Sequence, residues 1–431
     1  MRSLARLVPG GTDLHVGSFL LALTMLGLVF LLACAPHHPV GDDDVSPANN
    51  DDDNDNDDAS PDDDDDASPD DDDDNDVSPG DDDNDVSPDD DDNDDDNDND
   101  DDDSSPVDDD NDDDNLAWLA MTSGTRIGLS GVWGSSATDV FAVGSDVLTG
   151  DTAILHYDGS SWSAMNSGIT ADLNAVWGSA ATDVFVVGKS WTDSNPSVIL
   201  HYDGSSWSAM ASGPAASLAS VWGSSAADVY AVGNYSASPN PGLILHYDGS
   251  AWSAVTAELL NNVGLASVWG SSATDVFAVG GASTGVETIL HYDGSSWSAM
   301  NVGSATNVVF YGVWGSSAED VFAVGYAPYQ IVGTYGWMVH YDGFSWSEVG
   351  YAINIVGWLA AVWGSSATDV FVVGSAGAPL EPGIIHYDGS TWSAMNNGAS
   401  EPLAGVWGSS ATDVFAVGDY GTILHYAGPP Q

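Results

Sequence analysis

Seven histidines, His156, His201, His246, His291, His340, His386 and His425, stand at one place in a repeated unit, each followed by a tyrosine. Thirteen aspartates accompany them in two kinds of turn: Asp139, Asp183, Asp228, Asp275, Asp320, Asp369 and Asp413 in one, and Asp158, Asp203, Asp248, Asp293, Asp342 and Asp388 in the other. Imidazole and carboxylate are the groups of metal centres and of general acid–base catalysis. Metal ligands must converge on one ion, whereas residues repeated once per unit are spread around the structure that the units build. They read instead as satisfied histidines, packing tyrosines and turn-capping carboxylates. A residue demanded by every copy answers a need of the copy.

Chemistry specific to this chain should therefore show as a break in the repetition. A clamp for an anionic sugar needs clustered arginines, and residues 116–431 contain only Arg126 and Lys189 as cations. No Ser-His-Asp arrangement stands outside the repeat consensus, and no metallohydrolase motif is present. Paired loop carboxylates among Glu258, Glu287, Glu381 and Glu401 keep glycoside cleavage open. No catalytic residue and no metal ligand is assigned, and an enzyme is not the expectation. Aromatic residues break the pattern most clearly: Phe310, Tyr311, Tyr326, Tyr329, Tyr335, Trp337, Tyr351 and Trp358 crowd the junctions around the fifth and sixth repeats, while Trp191 and Tyr235 stand apart. Tyr311, Tyr326, Tyr329, Tyr335, Trp337, Tyr351 and Trp358 form the candidate ligand-binding set. Aromatic platforms beside neutral polar groups suit a glycan or a protein partner. The alternative is that long loops fold over and pack their own aromatics.

The elements that must position these residues follow from the repeat. Val-Trp-Gly recurs with its tryptophan at 133, 177, 222, 269, 314, 363 and 407, a period in the mid-forties typical of four-stranded propeller blades. Gly and Ser at every junction, with little Glu, Lys, Arg or Leu at helical spacing, argue against a helical repeat. Each unit reads as four strands: one ending in Val-Trp-Gly, then Asp-Val-Phe-Ala-Val-Gly, Ile-Leu-His-Tyr and Ser-Trp-Ser-Ala-Met. In the second strand Val140 and Ala142 face one way, Phe141 and Val143 the other. Both faces are apolar, as stacked sheets require. The Asp-Gly pair before the fourth strand suits a tight hairpin.

The two ends of the repeat region fix its closure. Residues 116–124 match a lone fourth strand, and the chain stops after Ile423-Leu424-His425-Tyr426 without one. The expectation is an all-β, seven-bladed β-propeller over residues 116–431, its ring closed by the N-terminal strand completing the last blade. Alternating strand direction then puts the loops between second and third strands, and those joining blades, on one face. Their lengths vary, whereas the opposite face carries near-invariant turns, so recognition is expected on the variable face.

Before the repeats, Arg2 and Arg6 precede an apolar run ending Leu31-Leu32-Ala33-Cys34, the pattern of a secretory signal. Cys34 is the single cysteine, which excludes an internal disulfide. Residues 41–115 hold 42 Asp among Asn, Ser and Pro with almost nothing to bury, which reads as a disordered, extended stalk after a short stem at 34–40. Weak, diffuse calcium binding there is the only cofactor expectation. The formal charge of -63 makes nucleic acid a poor partner.

Leu31-Leu32-Ala33-Cys34 resembles the lipobox of bacterial lipoproteins, which implies cleavage after residue 33, acylation of Cys34 and anchoring in a bilayer. Ala35, where that family uses Asp for inner-membrane retention, implies the outer membrane, with surface exposure left open. The repeats resemble propellers of bacterial secreted proteins and lipoproteins built on Trp-Gly-Ser-Ser, Asp-Val-Phe-Ala-Val-Gly and His-Tyr-Asp-Gly, distantly like kelch and Asp-box propellers. Tyr157-Asp158-Gly159-Ser160-Ser161-Trp162 departs from the Asp box because its Asp and Gly are adjacent. The functional expectation is a membrane-anchored, monomeric propeller that binds a glycan or a surface protein. The alternatives are a structural surface protein without a ligand and, behind it, a polysaccharide glycosidase or lyase.

Overall fold

The computed structural model describes residues 118–191, 197–236, 241–261, 263–281, 287–303, 308–329, 333–349, 357–376 and 381–428. The expected signal peptide, Cys34 and aspartate stalk lie outside these residues, as does Tyr351. The described chain forms 28 strands, β1 (Trp118–Ala120) to β28 (Ile423–Tyr426), in seven four-stranded antiparallel sheets. Blade 1 shows the plan: β2 (Leu129–Ser136), β3 (Asp139–Asp146), β4 (Asp151–Tyr157) and β5 (Trp162–Ala164) pair in chain order. In blade 7 the order is β26 (Leu403–Ser410), β27 (Asp413–Gly418), β28 and then β1, with Trp118 opposite Tyr426. The expected closure by the N-terminal strand is present, and it leaves no blade short of its outer strand.

The second strand is the buried spine of each blade. Val140, Phe141, Ala142 and Val143 are all inaccessible to solvent, as their two-faced apolar pattern requires. Successive first strands, β2, β6 (Ala171–Ala180), β10 (Ala216–Ser225), β14 (Gly264–Ser272), β18 (Val309–Ser317), β22 (Gly357–Ser366) and β26, touch in turn, and β26 returns to β2.

The blades are joined by a repeated contact that explains the Val-Trp-Gly motif. The Trp133 ring lies so close to Gly178 of blade 2 that a methyl there would sit 2.6 Å from the indole. The same relation holds from Trp177 to Gly223, Trp222 to Gly270, Trp269 to Gly315, Trp314 to Gly364, Trp363 to Gly408 and Trp407 to Gly134. Seven tryptophans on seven glycines complete the circle. Farther out, Phe141 meets Trp207 of the next blade edge-on at 6.3 Å, and Phe371 meets Trp118 in the same way across the closure at 6.0 Å.

Candidate functional site

The repeated polar residues serve the blades. His156 Nε2 lies 2.7 Å from Asp139 Oδ1, the Ser135 hydroxyl donates to Asp139 Oδ2 at 2.5 Å, and the imidazole packs on Phe141 at 4.7 Å. All seven blades repeat the His–Asp pair at 2.7 Å. Because the carboxylate rather than the imidazole receives the serine hydroxyl, this is no relay for activating a nucleophile. These aspartates differ from the turn caps expected of them: they tie the first turn to the third strand. Asp158 does cap its turn, accepting from Ser160 N, Ser161 N and the Ser160 hydroxyl, and these bonds, the hydroxyl's foremost, hold its carboxyl down to about 2.

Differences between blades concentrate where two rows of residues meet at the variable end. Every first strand carries a β-bulge, occupied by Ser130, Asn174, Ala219, Ala266, Tyr311, Ala360 and Ala404. The residue following the second-strand glycine is Ser145, Lys189, Asn234, Gly281, Tyr326, Ser375 or Asp419. In blades 1 and 3 it reaches the next blade: the Ser145 hydroxyl bonds the Asp172 carboxylate, and Asn234 Oδ1 accepts from Leu265 N at 3.1 Å. Each crevice between blades therefore has the same frame and its own lining.

Between blades 1 and 2 the lining is polar and paired. Asp172 takes the Ser145 hydroxyl on one oxygen and Lys189 Nζ at 3.2 Å on the other, while the ammonium lies 5.4 Å from the centre of the Trp191 ring. Between blades 5 and 6 it is aromatic. The Tyr311 and Tyr326 rings stack with centroids 5.6 Å apart and planes inclined by 20°, and burial, together with Tyr326 and its hydrogen bond, pushes the Tyr311 phenol above its ordinary range. Trp358, opposite Ser375 in its sheet, holds in blade 6 the place that Asp172 holds in blade 2. Between blades 7 and 1 lies Asp419, whose Oδ1 approaches the space left by the missing side chain of Gly128. Burial first, and then the nearby Glu401 carboxylate, raise the Asp419 carboxyl to about 7. Tyr420, at φ 53, is the described non-glycine residue with positive φ.

Of the candidate aromatics, the fold brings Tyr311 and Tyr326 together and sets Trp358 on the facing strand. Trp337 packs against the core between blades 4 and 5, where Phe310 is fully buried. The connection between the second and third strands of blade 5 is largely ladder: β19 (Asp320–Tyr329) and β20 (Gly333–Tyr341) pair Ala327 with Tyr335 and Tyr329 with Gly333. The side chains of Tyr329 and Tyr335 lie outside the described residues. Asp419 was not among the candidates. Aligning the copies on their second-strand glycine would have found it, as the carboxylate in a row of otherwise neutral or cationic residues. An open depression at the outer rim of blades 1 and 2 is lined by Met165, Gly168, Tyr202 and Trp207, residues of the blade consensus, and belongs to the architecture.

No family model matches the chain, and no curated protein matches it. Solved structures with a similar fold include YCF48 from Cyanidioschyzon merolae, 16% identical over 72% of this chain and 99% of that one, with a TM-score of 0.53. A YCF48 bound to a D1 peptide is 15% identical over 72% and 97%, with a TM-score of 0.53. A streptogramin B lyase is 11% identical over 72% and 96%, with a TM-score of 0.54. At these identities the likeness is one of fold, a fold that carries both binding proteins and enzymes.

Proposed function

We propose that the chain is an envelope lipoprotein, acylated at Cys34 and held off an outer membrane by its aspartate stalk, whose propeller is a binding module for a glycan or a protein. The observation that carries the binding role is the Tyr311–Tyr326 stack, which fills with aromatic rings a crevice position that other blades fill with small or polar residues. Stacked phenols next to a tryptophan strand favour an uncharged or polypeptide ligand over an anion, in keeping with the acidity of the domain. A propeller of similar fold that holds a peptide supports a polypeptide as one of the two classes. The test is capture by the full-length protein on a glycan array and on immobilised surface proteins, with Trp358→Ala beside the wild type. Loss of one specific ligand in the variant supports the reading; equal capture by both overturns it.

Asp419 favours a second reading, a glycosidase or lyase. A carboxyl raised to about 7 by burial and by a neighbouring carboxylate, Glu401, resembles the acid of a two-carboxylate glycosidase pair. Turnover on a panel of neutral polysaccharides, abolished by Asp419→Asn, would support it; a panel left intact by the wild type removes it.

A further inference from the structure

Blade 5 departs from its siblings on the opposite face too, where the turns are otherwise near-identical. In the hairpin between third and fourth strands, the residue after Asp-Gly is Ser160, Ser205, Ser250, Ser295 or Ser390 in the other complete repeats, and Phe344 in blade 5. Phe344 is 93% exposed, the most exposed large apolar side chain among the described residues. The turn does not need it. Asp342 still caps the hairpin through Phe344 N at 2.9 Å and Ser345 N at 2.8 Å, and the Tyr341 hydroxyl donates to Gly343 O at 2.9 Å. Four sibling serines add a hydroxyl bond to the capping aspartate, which Phe344 cannot make. The substitution gives up a hydrogen bond and shows an aromatic ring to water, with no packing gained inside the fold.

A second change touches the first. The glycine of this hairpin sits on the turn between first and second strands, on Thr138, Thr182, Thr274, Thr368 or Ala227 in the corresponding blades, and on Glu319 in blade 5. The Phe344 ring thus stands at a convex tip with the Glu319 and Asp342 carboxylates at its base. A projecting ring is a knob for insertion among another molecule's apolar groups, unlike the concave platform on which a sugar stacks. The carboxylates at its foot select positive charge around those groups. A second copy of this chain brings the same acidic surface and is repelled, and an anionic lipid surface is repelled in the same way. We infer that the Phe344 tip is a second interaction surface, on the face away from the variable loops, that docks a cationic amphipathic polypeptide segment.

The experiment places 4-fluorophenylalanine at position 344 of the full-length protein and follows its fluorine resonance while a synthetic lysine–leucine amphipathic peptide is added. Salt is kept high enough, about 0.3 M, to screen diffuse attraction to the aspartate stalk. The expected result is a saturable shift of the 344 resonance, and a threefold or greater weakening when Glu319→Thr restores the sibling residue. The peptide with glutamate in place of lysine, and polylysine without leucine, should leave the signal in place. Because Glu319→Thr and a Phe344→Ser control both install residues from sibling blades, unchanged thermal melts are expected and show that the fold is intact. A resonance that stays put with the lysine–leucine peptide overturns the inference. So does one that moves equally with polylysine, with neutral oligosaccharides or with rising protein concentration alone.

Discussion

The crevice between blades 1 and 2 and the crevice between blades 5 and 6 share one backbone frame and differ in what fills it. In the first, Ser145, Asp172 and Lys189 satisfy one another, with Trp191 under the ammonium. In the second, the positions of Ser145, Asp172 and Lys189 carry Tyr326, Trp358 and Ser375, and the bulge carries Tyr311 in place of Ser130. A polar group taken from water must be paired, so the first crevice closes on itself as a lock between blades. Aromatic rings carry no such obligation beyond their hydroxyls, and the second crevice keeps apolar surface with a polar rim. Specificity in a repeat protein can thus be placed by changing a few residues at equivalent points, without changing the frame.

Asp419, at the place of Ser145 and Tyr326 in the closing crevice, gives the largest contrast. Its carboxyl titrates near 7 when folded against 3.8 as its ordinary value, so the folded state binds the proton more tightly. Its contribution therefore favours folding at low pH and is lost as pH rises from about 4 through 7. At 1.36 kcal/mol per unit this is worth up to about 4 kcal/mol. Urea melts at pH 5 and pH 8 should show the wild type losing stability relative to Asp419→Asn over that interval. Parallel curves for the two proteins would mean that the crevice pays nothing for the ionised group.

Next in size is the shared frame. Gly178→Ala in the first crevice and Gly364→Ala in the second each drive a methyl to 2.6 Å from an indole ring. Overpacking of this kind costs on the order of 3 kcal/mol, and it should cost the same in both crevices because neither variant touches the lining. Melting temperatures that fall together confirm one frame with two linings; a fall in only one would make the blades mechanically unequal.

The frame was legible because packing is written redundantly: seven Val-Trp-Gly motifs, second strands apolar on both faces, and chain ends that match as fourth and third strands. What each repeated residue does was less legible. Asp139 and Asp158 look alike in sequence, yet one anchors a histidine across the blade and the other caps a turn, a distinction set by the sheet register. Aromatic composition drew attention to blades 5 and 6 but could not separate Trp337, packed on the core, from Tyr311 and Tyr326, which stack in the crevice. Asp419 stands out once the copies are aligned on their second-strand glycine, but its elevated affinity for a proton comes from burial and the nearness of Glu401, which an alignment does not display.

Lys189→Met tests the lock itself. It strands the Asp172 carboxylate, whose side chain is only 15% exposed, with a single serine donor. Breaking a half-buried pair from one side should cost about 2 kcal/mol, most of it recovered by adding Asp172→Asn in the same chain. Ligand capture should be unchanged, since the lock and the aromatic crevice lie on different blades; capture lost with the lock would mean that the two crevices are coupled through the ring.

The smallest effect on stability should come with the clearest effect on binding. Tyr326→Ser writes the blade 1 residue into blade 5, in a position whose backbone already accepts serine at Ser145 and Ser375. The variant loses one face of the Tyr311 stack, an aromatic pair worth about 1 kcal/mol, and keeps its strand pairing through Val309. Binding of any glycan or protein captured by the wild type should weaken about tenfold, equivalent to about 1.4 kcal/mol. Circular dichroism and the thermal transition should stay near wild type, which separates a lost contact from a lost blade. If the serine variant binds as well as the wild type, the Tyr311–Tyr326 stack is packing, and the ligand site belongs elsewhere on the variable face.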